Sequence, residues 1–411
     1  MISKIHIDGV RSIAGFETEF GPGITVVHGP NGCGKTSILE SIHLLAQGFS
    51  FRARDLKEII AWNGDEFILR GVFDDSDQGL KRGIRVGRRS SDVRENGESL
   101  KSPTAFFGRM PAVVMQPSDI ELLRGGPDVR RHWLDEILCF RSSANSLVLR
   151  NYKRVLQQRN KWLKEFKQKG SAVGGEDLFR VLTQQLIDLG AKLWAARMAL
   201  SKEVSEIITR YYRKLSGGVD EITCAYKSSI LKTLDALDAA DPLSDEMMDE
   251  FPAGAMSASG ECAECFADGS GNVAGSAADG SDVVSEEMLR NAFARKLADL
   301  EFVESLQGMT MAGPHRDDLA LCASGYEMRS VGSQGQCRSA AVAMRFAAVD
   351  VASRYLTKPI LLLDDIFAEL DVNRRDAVAS LIREKECQVV IATPQAEDLP
   401  FKADAMFELK I

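Results

Sequence analysis

The sequence predicts an α/β fold that binds a nucleoside triphosphate, with a helical arm inserted into it. Three observations carry this. Residues 24–45 read strand, G-x-x-x-x-G-K-T, helix; residues 360–363 form an apolar run ending in two aspartates; and a long, charged, apolar-periodic stretch lies between them.

The first element is a β-branched run at Ile24, Val26 and Val27, which brings a buried strand up to Gly29. The loop continues Gly29, Pro30, Asn31, Gly32, Cys33, Gly34, Lys35, Thr36, Ser37. Gly32 and Gly34 let the backbone curl so that successive amide N–H groups face one phosphate chain. Lys35 supplies charge for the β- and γ-phosphates, and Thr36 supplies an oxygen for Mg²⁺. Residues 37–45 continue with helical apolar spacing. A glycine-rich turn with a stray lysine would share these letters, but not the strand before and the helix after. ATP and Mg²⁺ are the expected cofactors.

The chain has 411 residues, 45% hydrophobic and 27% charged, an ordinary globular composition with room for two or three lobes. No apolar stretch approaches the roughly 18 residues that span a bilayer. The opening MISKIHIDGVRSI alternates like a strand, unlike a signal peptide. A cytoplasmic protein with no membrane partner is expected. The eight cysteines are scattered and Cys33 sits inside the phosphate loop, which favours reduced thiols. A formal charge of −8 argues against nucleic acid, yet the acids between Asp241 and Glu287, with no Lys or Arg among them, account for more than all of it. The body of the chain is mildly basic.

Residues 147–215 read as long helices that can pair antiparallel. Residues 240–285 turn Gly-, Ala-, Ser- and Asp-rich, too poor in large apolar groups for a packed core, and are expected to form a mobile acidic loop. Cys262 and Cys265 make one C-x-x-C there, without the second pair a structural zinc site needs. Helical spacing returns at 286–306, and short strands follow from Met309. The expected division is an N-terminal part of the head at 1–140, an arm at 141–308 and a C-terminal part of the head at 309–411.

The run at 360–363 reads as a buried parallel strand with Asp364 and Asp365 at its carboxyl edge, where open α/β sheets bind ligands. Asp364 would hold Mg²⁺ through water, and Asp365 would polarise the attacking water. Two acids capping a turn are the plain alternative; the phosphate loop in the same chain weighs against it. Upstream, Ser333, Gln334, Gly335 and Gln336 open an apolar helix and form a second anion site. One nucleotide has no need of two γ-phosphate cradles, so this one is expected to face a nucleotide held by a second copy.

These residues together resemble the ABC-type ATPase heads of the SMC and RecF group. Four stretches sharpen the likeness to the RecF family of bacterial gap-repair proteins: FSFRARDL (49–56), LLRGGPDVRRHWLD (122–135), GPHRDDL (313–319) and SQGQCR (333–338). The likeness runs nearly end to end. It implies an ABC-type P-loop ATPase head as lobe I, with the helical arm as lobe II. By it, Lys35 and Thr36 belong to the Walker A loop, Asp364 and Asp365 to Walker B, residues 333–338 to the signature motif, residues 368–371 to the D-loop, and Gln116 to a Q-loop that touches nucleotide and metal. Lys35, Asp365 and Ser333 would be catalytic in a weak, DNA-stimulated ATPase. The resemblance further implies an ATP-dependent homodimer on duplex DNA and duplex/single-strand junctions, acting with RecR and RecO to load RecA. The chain departs from the family at Cys337, usually Gln, and in the length of its acidic loop. It carries Thr393 where transporters carry a switch His.

Two other classes compete. A transporter's ATP-binding subunit would place its signature motif far closer to the phosphate loop than Ser333 stands from Lys35. An ATP-gated nuclease would need a metal-binding domain for which too few residues follow Asp371. An ATPase coupled to a protein partner stays open. Candidate DNA contacts are Arg52, Arg54, Lys81, Arg82, Arg85, Arg88, Arg89, Arg130 and Arg131. No aromatic residue alternates with them, so backbone contact to duplex is expected rather than base stacking.

Overall fold

Alternation of apolar and polar residues builds the first layer. In β1 (Ile2–Val10), Ile5 and Ile7 are buried while Lys4, His6 and Asp8 lie between them on the other face. It pairs antiparallel with β2 (Ile13–Glu19) and with β4 (Glu66–Phe73), and the sheet continues through β5 (Leu80–Gly87), β6 (Ser91–Glu95) and β7 (Glu98–Leu100). A second, wholly parallel sheet has the order β14 (Ala405–Glu408), β3 (Ile24–His28), β13 (Gln388–Thr393), β12 (Ile360–Asp364), β8 (Ala112–Met115). The computed structural model describes residues 1–74, 79–171, 173–218, 221–238, 284–356 and 358–409.

Helix α1 (Lys35–Gln47) fills the space between the two sheets. Its Ile38, Leu39, Ile42 and Leu45 share one core with Ile5, Phe67 and Leu69 on one side and Val114, Leu362 and Val390 on the other. The opposite face of the parallel sheet, with Val113, Leu361, Leu363 and Ile391, joins the core of the helical arm. Burial on both faces explains why 360–363 is unbroken Ile and Leu.

The arm is reached through α2 (Glu121–Arg124) and α3 (Pro127–Arg141) and built on α4 (Ser143–Lys169) and α5 (Gly175–Leu215). These last two run antiparallel: Trp162 stacks on Phe179 with ring centroids 4.4 Å apart, and Arg159 donates to Thr183 at 3.0 Å. The buried Arg159 also pairs with Glu304 of α7 (Glu286–Gln307) at 2.7 Å. A Cβ at Gly190 would stand 2.6 Å from the Phe293 ring, so glycine sets how closely α7 approaches α5.

After α5 come β9 (Ile222–Lys227) and α6 (Ser229–Asp238); after α7 come β10 (Asp318–Ala323), β11 (Tyr326–Glu327), α8 (Met328–Val331), α9 (Gln334–Tyr355) and α10 (Val372–Arg383). β9 and β10 pair antiparallel, so strands from either side of the boundary expected at residue 308 lie in one sheet. Of the acidic stretch expected at 240–285, residues 240–283, with Cys262 and Cys265, lie outside the described residues. The cysteines among the described residues are all free, and no described helix is long and apolar enough to cross a membrane.

Candidate nucleotide site and nucleic-acid surface

Four neighbouring strands of the parallel sheet deliver the site. β3 ends at His28, opposite Thr393 of β13; Asp364 of β12 is opposite Ala392; and Met115 of β8 is opposite Leu363, which leaves Gln116 at the level of Asp364. All reach the same carboxyl edge. Gly34, with φ 102°, turns the loop into α1, and a Cβ there would stand 2.8 Å from Ile13 at the start of β2. No side chain caps the N-terminus of α1, so its first amide donors are left for an anion.

The side chains expected to act converge there. Lys35 is buried and folds back over the loop, donating to the carbonyls of Gly29 at 2.7 Å and Pro30 at 2.8 Å. Thr36 Oγ1 donates to Asp364 Oδ1 at 2.9 Å. Burial pushes the Asp364 carboxyl up, against the pull of the Thr36 hydrogen bond and the Arg52 and Lys35 charges. Asp365 adopts the left-handed region (φ 51°) while its N–H donates to Ala392 O at 2.9 Å. Burial and then the neighbouring Asp364 push its carboxyl up as well. Thr36 and Asp364 are two hard oxygen donors side by side, the small share of ligands that Mg²⁺ takes from protein when phosphate and water supply the rest. These residues fit that ion.

Glu40 lies one helical turn beyond Thr36 and was not singled out in the sequence. It is buried, takes a bidentate ion pair from Arg11 at 2.6 and 2.9 Å, and accepts from Ser50. Arg52 stands 3.9 Å away. The FSFRARDL stretch is thus anchored to the helix that opens with Lys35.

Ser333 is the exposed N-cap of α9, in a capping box with Gln336: Ser333 Oγ accepts from Gln336 N at 3.2 Å, and Ser333 N donates to Gln336 Oε1 at 2.9 Å. The helix packs on residues 368–371. Arg338 pairs with Glu369 at 2.7 Å, and a Cβ on Gly335 would lie 2.6 Å from Arg374, which bonds Asp371. Cys337, which replaces the usual Gln, is buried beneath the helix start and points away from the exposed Ser333 face.

Among the candidate DNA contacts the structure corrects two. The Arg82 side chain is fully buried, bonded to Glu95 at 3.0 Å and to the C-terminal carbonyls of α1, Leu45 at 3.0 Å and Ala46 at 2.7 Å. Arg130 is buried and bidentate to Asp318, 2.8 Å for each bond. Both guanidinium groups are consumed by the fold. Arg131 is half-buried and donates to Asp317 O at 2.6 Å. Arg52, Arg54, Lys81, Arg85, Arg88 and Arg89 are exposed. Lys81 and Arg85 share the outer face of the antiparallel sheet with Arg70 and Arg94, around a shallow cleft of about 480 Å³ lined by Arg70, Lys81 and Arg94.

Residues 1–410 match the family described as the RecF/RecN/SMC N terminal domain. A "DNA replication and repair protein RecF" from Geobacter metallireducens is 31% identical over 97% of this chain and 94% of its own length; one from Thermoanaerobacter sp. is 27% identical over 99% and 97%. The solved recombination mediator protein RecF–ATPrS of the RecFOR pathway superposes with a TM-score of 0.79 at 24% identity, over 100% of this chain and 96% of that one. The Smc head domain with coiled coil and joint from Pyrococcus yayanosii gives 0.53 at 13% identity, over 100% and 95%. The fold is that of an ABC-type ATPase head. The chain belongs to the RecF/RecN/SMC N-terminal domain family and, within it, to the RecF group.

Proposed function

We propose that this protein is an ATP-driven DNA clamp of recombinational gap repair and replication. The carrying observation is the split site: Lys35, Thr36, Asp364 and Asp365 converge at one sheet edge, while Ser333 caps an exposed helix start joined to residues 368–371. ATP held by the first set in one subunit is completed by Ser333, Gly335 and Gln336 of a second, and the dimer closes on duplex DNA beside single-strand gaps.

In this reading, phosphate contact draws Lys35 off its two loop carbonyls, and the open amides of α1 cradle the β-phosphate. Thr36 and Asp364, with Gln116 at the same edge, would hold Mg²⁺, whose charge would offset that developing on the leaving oxygen. Asp365, its carboxyl raised by burial and by Asp364, accepts a proton from the attacking water. Loss of the γ-phosphate removes the one ligand that both subunits hold, and the clamp opens. RecR and RecO are its proposed partners in loading RecA, a reading supported by the likeness to a recombination mediator of the RecFOR pathway.

The test is fluorescence anisotropy of a labelled duplex with a recessed end, titrated at one fixed salt with and without ATP. ATP is expected to tighten binding at least about tenfold, and Lys35→Ala to abolish that gain. Equal affinity in both states would remove the clamp and leave an ATPase coupled to a protein partner.

A further inference from the structure

Trp62 is 96% exposed, while the other three tryptophans, Trp133, Trp162 and Trp194, are 1%, 7% and 0% exposed. Its presentation is rigid. Trp62 follows Ala61 in a β-turn closed by Gly64 N–H to Ala61 O at 2.9 Å, and Ala61 N–H is itself tied to Gly9 O at 2.9 Å. A large aromatic ring carried into water on a hydrogen-bonded turn leaves little beyond its own two side-chain torsions to be fixed on binding.

Its surroundings select the ligand. Arg88 of the β5–β6 turn lies against the same turn, donating to Gly64 O at 3.3 Å, with Asp65 at 3.7 Å. From there the outward positions of β5 run back through Arg85 to Lys81. At about 3.4 Å per residue, Lys81 to Arg88 spans roughly 24 Å, about the axial length of seven base pairs of a duplex. Arg85 is paired with Glu66, whereas Arg89, Lys81 and Arg70 have no ion-pair partner among the described residues. A cationic track ending in an exposed ring matches a nucleic-acid backbone that ends in an unstacked base. The track is also tied to the nucleotide site, since Arg11 N–H donates to Ile59 O at 2.8 Å and Arg11 pairs with Glu40 on α1.

We propose that Trp62 is a stacking platform for the first unpaired base at a duplex/single-strand junction, placed at the end of a phosphate track along β5. This rests on the DNA-clamp reading and gives it a junction-sensing residue. It also revises the expectation that aromatic stacking plays no part.

Because only Trp62 is solvent-exposed, intrinsic tryptophan emission and probe anisotropy can be read on the same sample. ATP-bound full-length protein is titrated with a recessed-end duplex, with a blunt duplex of equal duplex length, and with buffer. The expected result is emission quenching by the recessed-end DNA alone, with anisotropy rising for both DNAs. Trp62→Ala should weaken recessed-end binding about tenfold and leave blunt-end binding unchanged, with Trp62→Phe restoring most of the loss. Equal quenching by both DNAs, or unchanged recessed-end affinity in Trp62→Ala, overturns the stacking role and leaves the clamp standing. Quenching by ATP without DNA assigns the ring to a subunit contact and also overturns it. Absence of any anisotropy change in wild type overturns the clamp and the platform together.

Discussion

Two residues show how burial decides what a polar side chain does. His43 on α1 is buried between Phe49 and Phe51, and burial pulls its pKa down to about 4, from an ordinary value near 6.5. Between those values the unfolded chain takes up a proton that the folded one refuses, so stability rises with pH across this window and is lost as pH falls from about 6.5 to 4. The contribution is at most about 1.4 kcal/mol per pH unit. Calorimetry at pH 7 and pH 5 should therefore show a smaller drop in Tm for His43→Gln than for wild type, despite a lower starting value. Arg82 gives the second prediction. Arg82→Ala should cost about 3 kcal/mol of stability, because it strips the α1 carbonyls of their donors, and should leave the salt dependence of DNA binding unchanged. Lys81→Ala should do the reverse, lowering the slope of log affinity against log salt by about 1 with stability intact. In the sequence these neighbours look alike, yet the signal was there: Arg82 shares the period-2 face of Ile84 and Val86, and Arg130 shares the helical face of Trp133, Leu134 and Ile137. Reading charge without period hid both.

At the scale of elements, α9 joins the two halves of the site within one subunit. Its Arg345 pairs with Asp119 at 2.7 Å and stands 3.8 Å from Glu136 of α3, and Asp119 in turn accepts from Gln116 N–H at 3.0 Å. On the proposed reading, a shift of Gln116 on contact with nucleotide would be passed through Asp119 and Arg345 to the helix whose start carries Ser333. Arg345→Lys keeps the charge but loses the two-pronged bond, and should lower kcat for ATP about tenfold with little change in ATP affinity; a change confined to affinity would sever this link. Elements with a strong local period were legible in advance: the strand into Gly29, the strand at 360–363, and the long arm helices. The β9–β10 pair was not, since two short strands about ninety positions apart meet only through tertiary packing. Nor was Trp62, which belongs to no periodic segment; the structure alone shows that its ring is unpacked.

At the scale of the whole molecule, one chain carries both proposed half-sites, and the question is whether they serve one nucleotide or two. Arg338 ties the signature helix start to Glu369, and Arg374, against which Gly335 lies, bonds Asp371, so the surface proposed to meet a second copy is held together within one subunit. The proposed two-fold dimer would place this surface of each subunit against the phosphate loop of the other, and closure would then require both triphosphates. Asp365→Asn retains the hydrogen-bonding shape of the side chain but removes its capacity to take the proton, so triphosphate should persist and the dimer should accumulate. Light scattering of Asp365→Asn with saturating ATP should report about twice the monomer mass, while Lys35→Ala under the same conditions stays monomeric. Ser333→Arg, exposed and outside the core, should bind ATP with wild-type affinity and yet fail to dimerise, because its damage falls on the neighbour's nucleotide. Mixing it with Asp365→Asn separates the models further: a shared site permits at most one complete interface in the mixed pair, and that one keeps the intact Asp365 of the Ser333→Arg subunit, so heterodimers should hydrolyse their ATP and be shorter-lived than Asp365→Asn homodimers. Monomer mass for all three variants with ATP would mean that each subunit closes its own site and that the exposed Ser333 face serves another purpose.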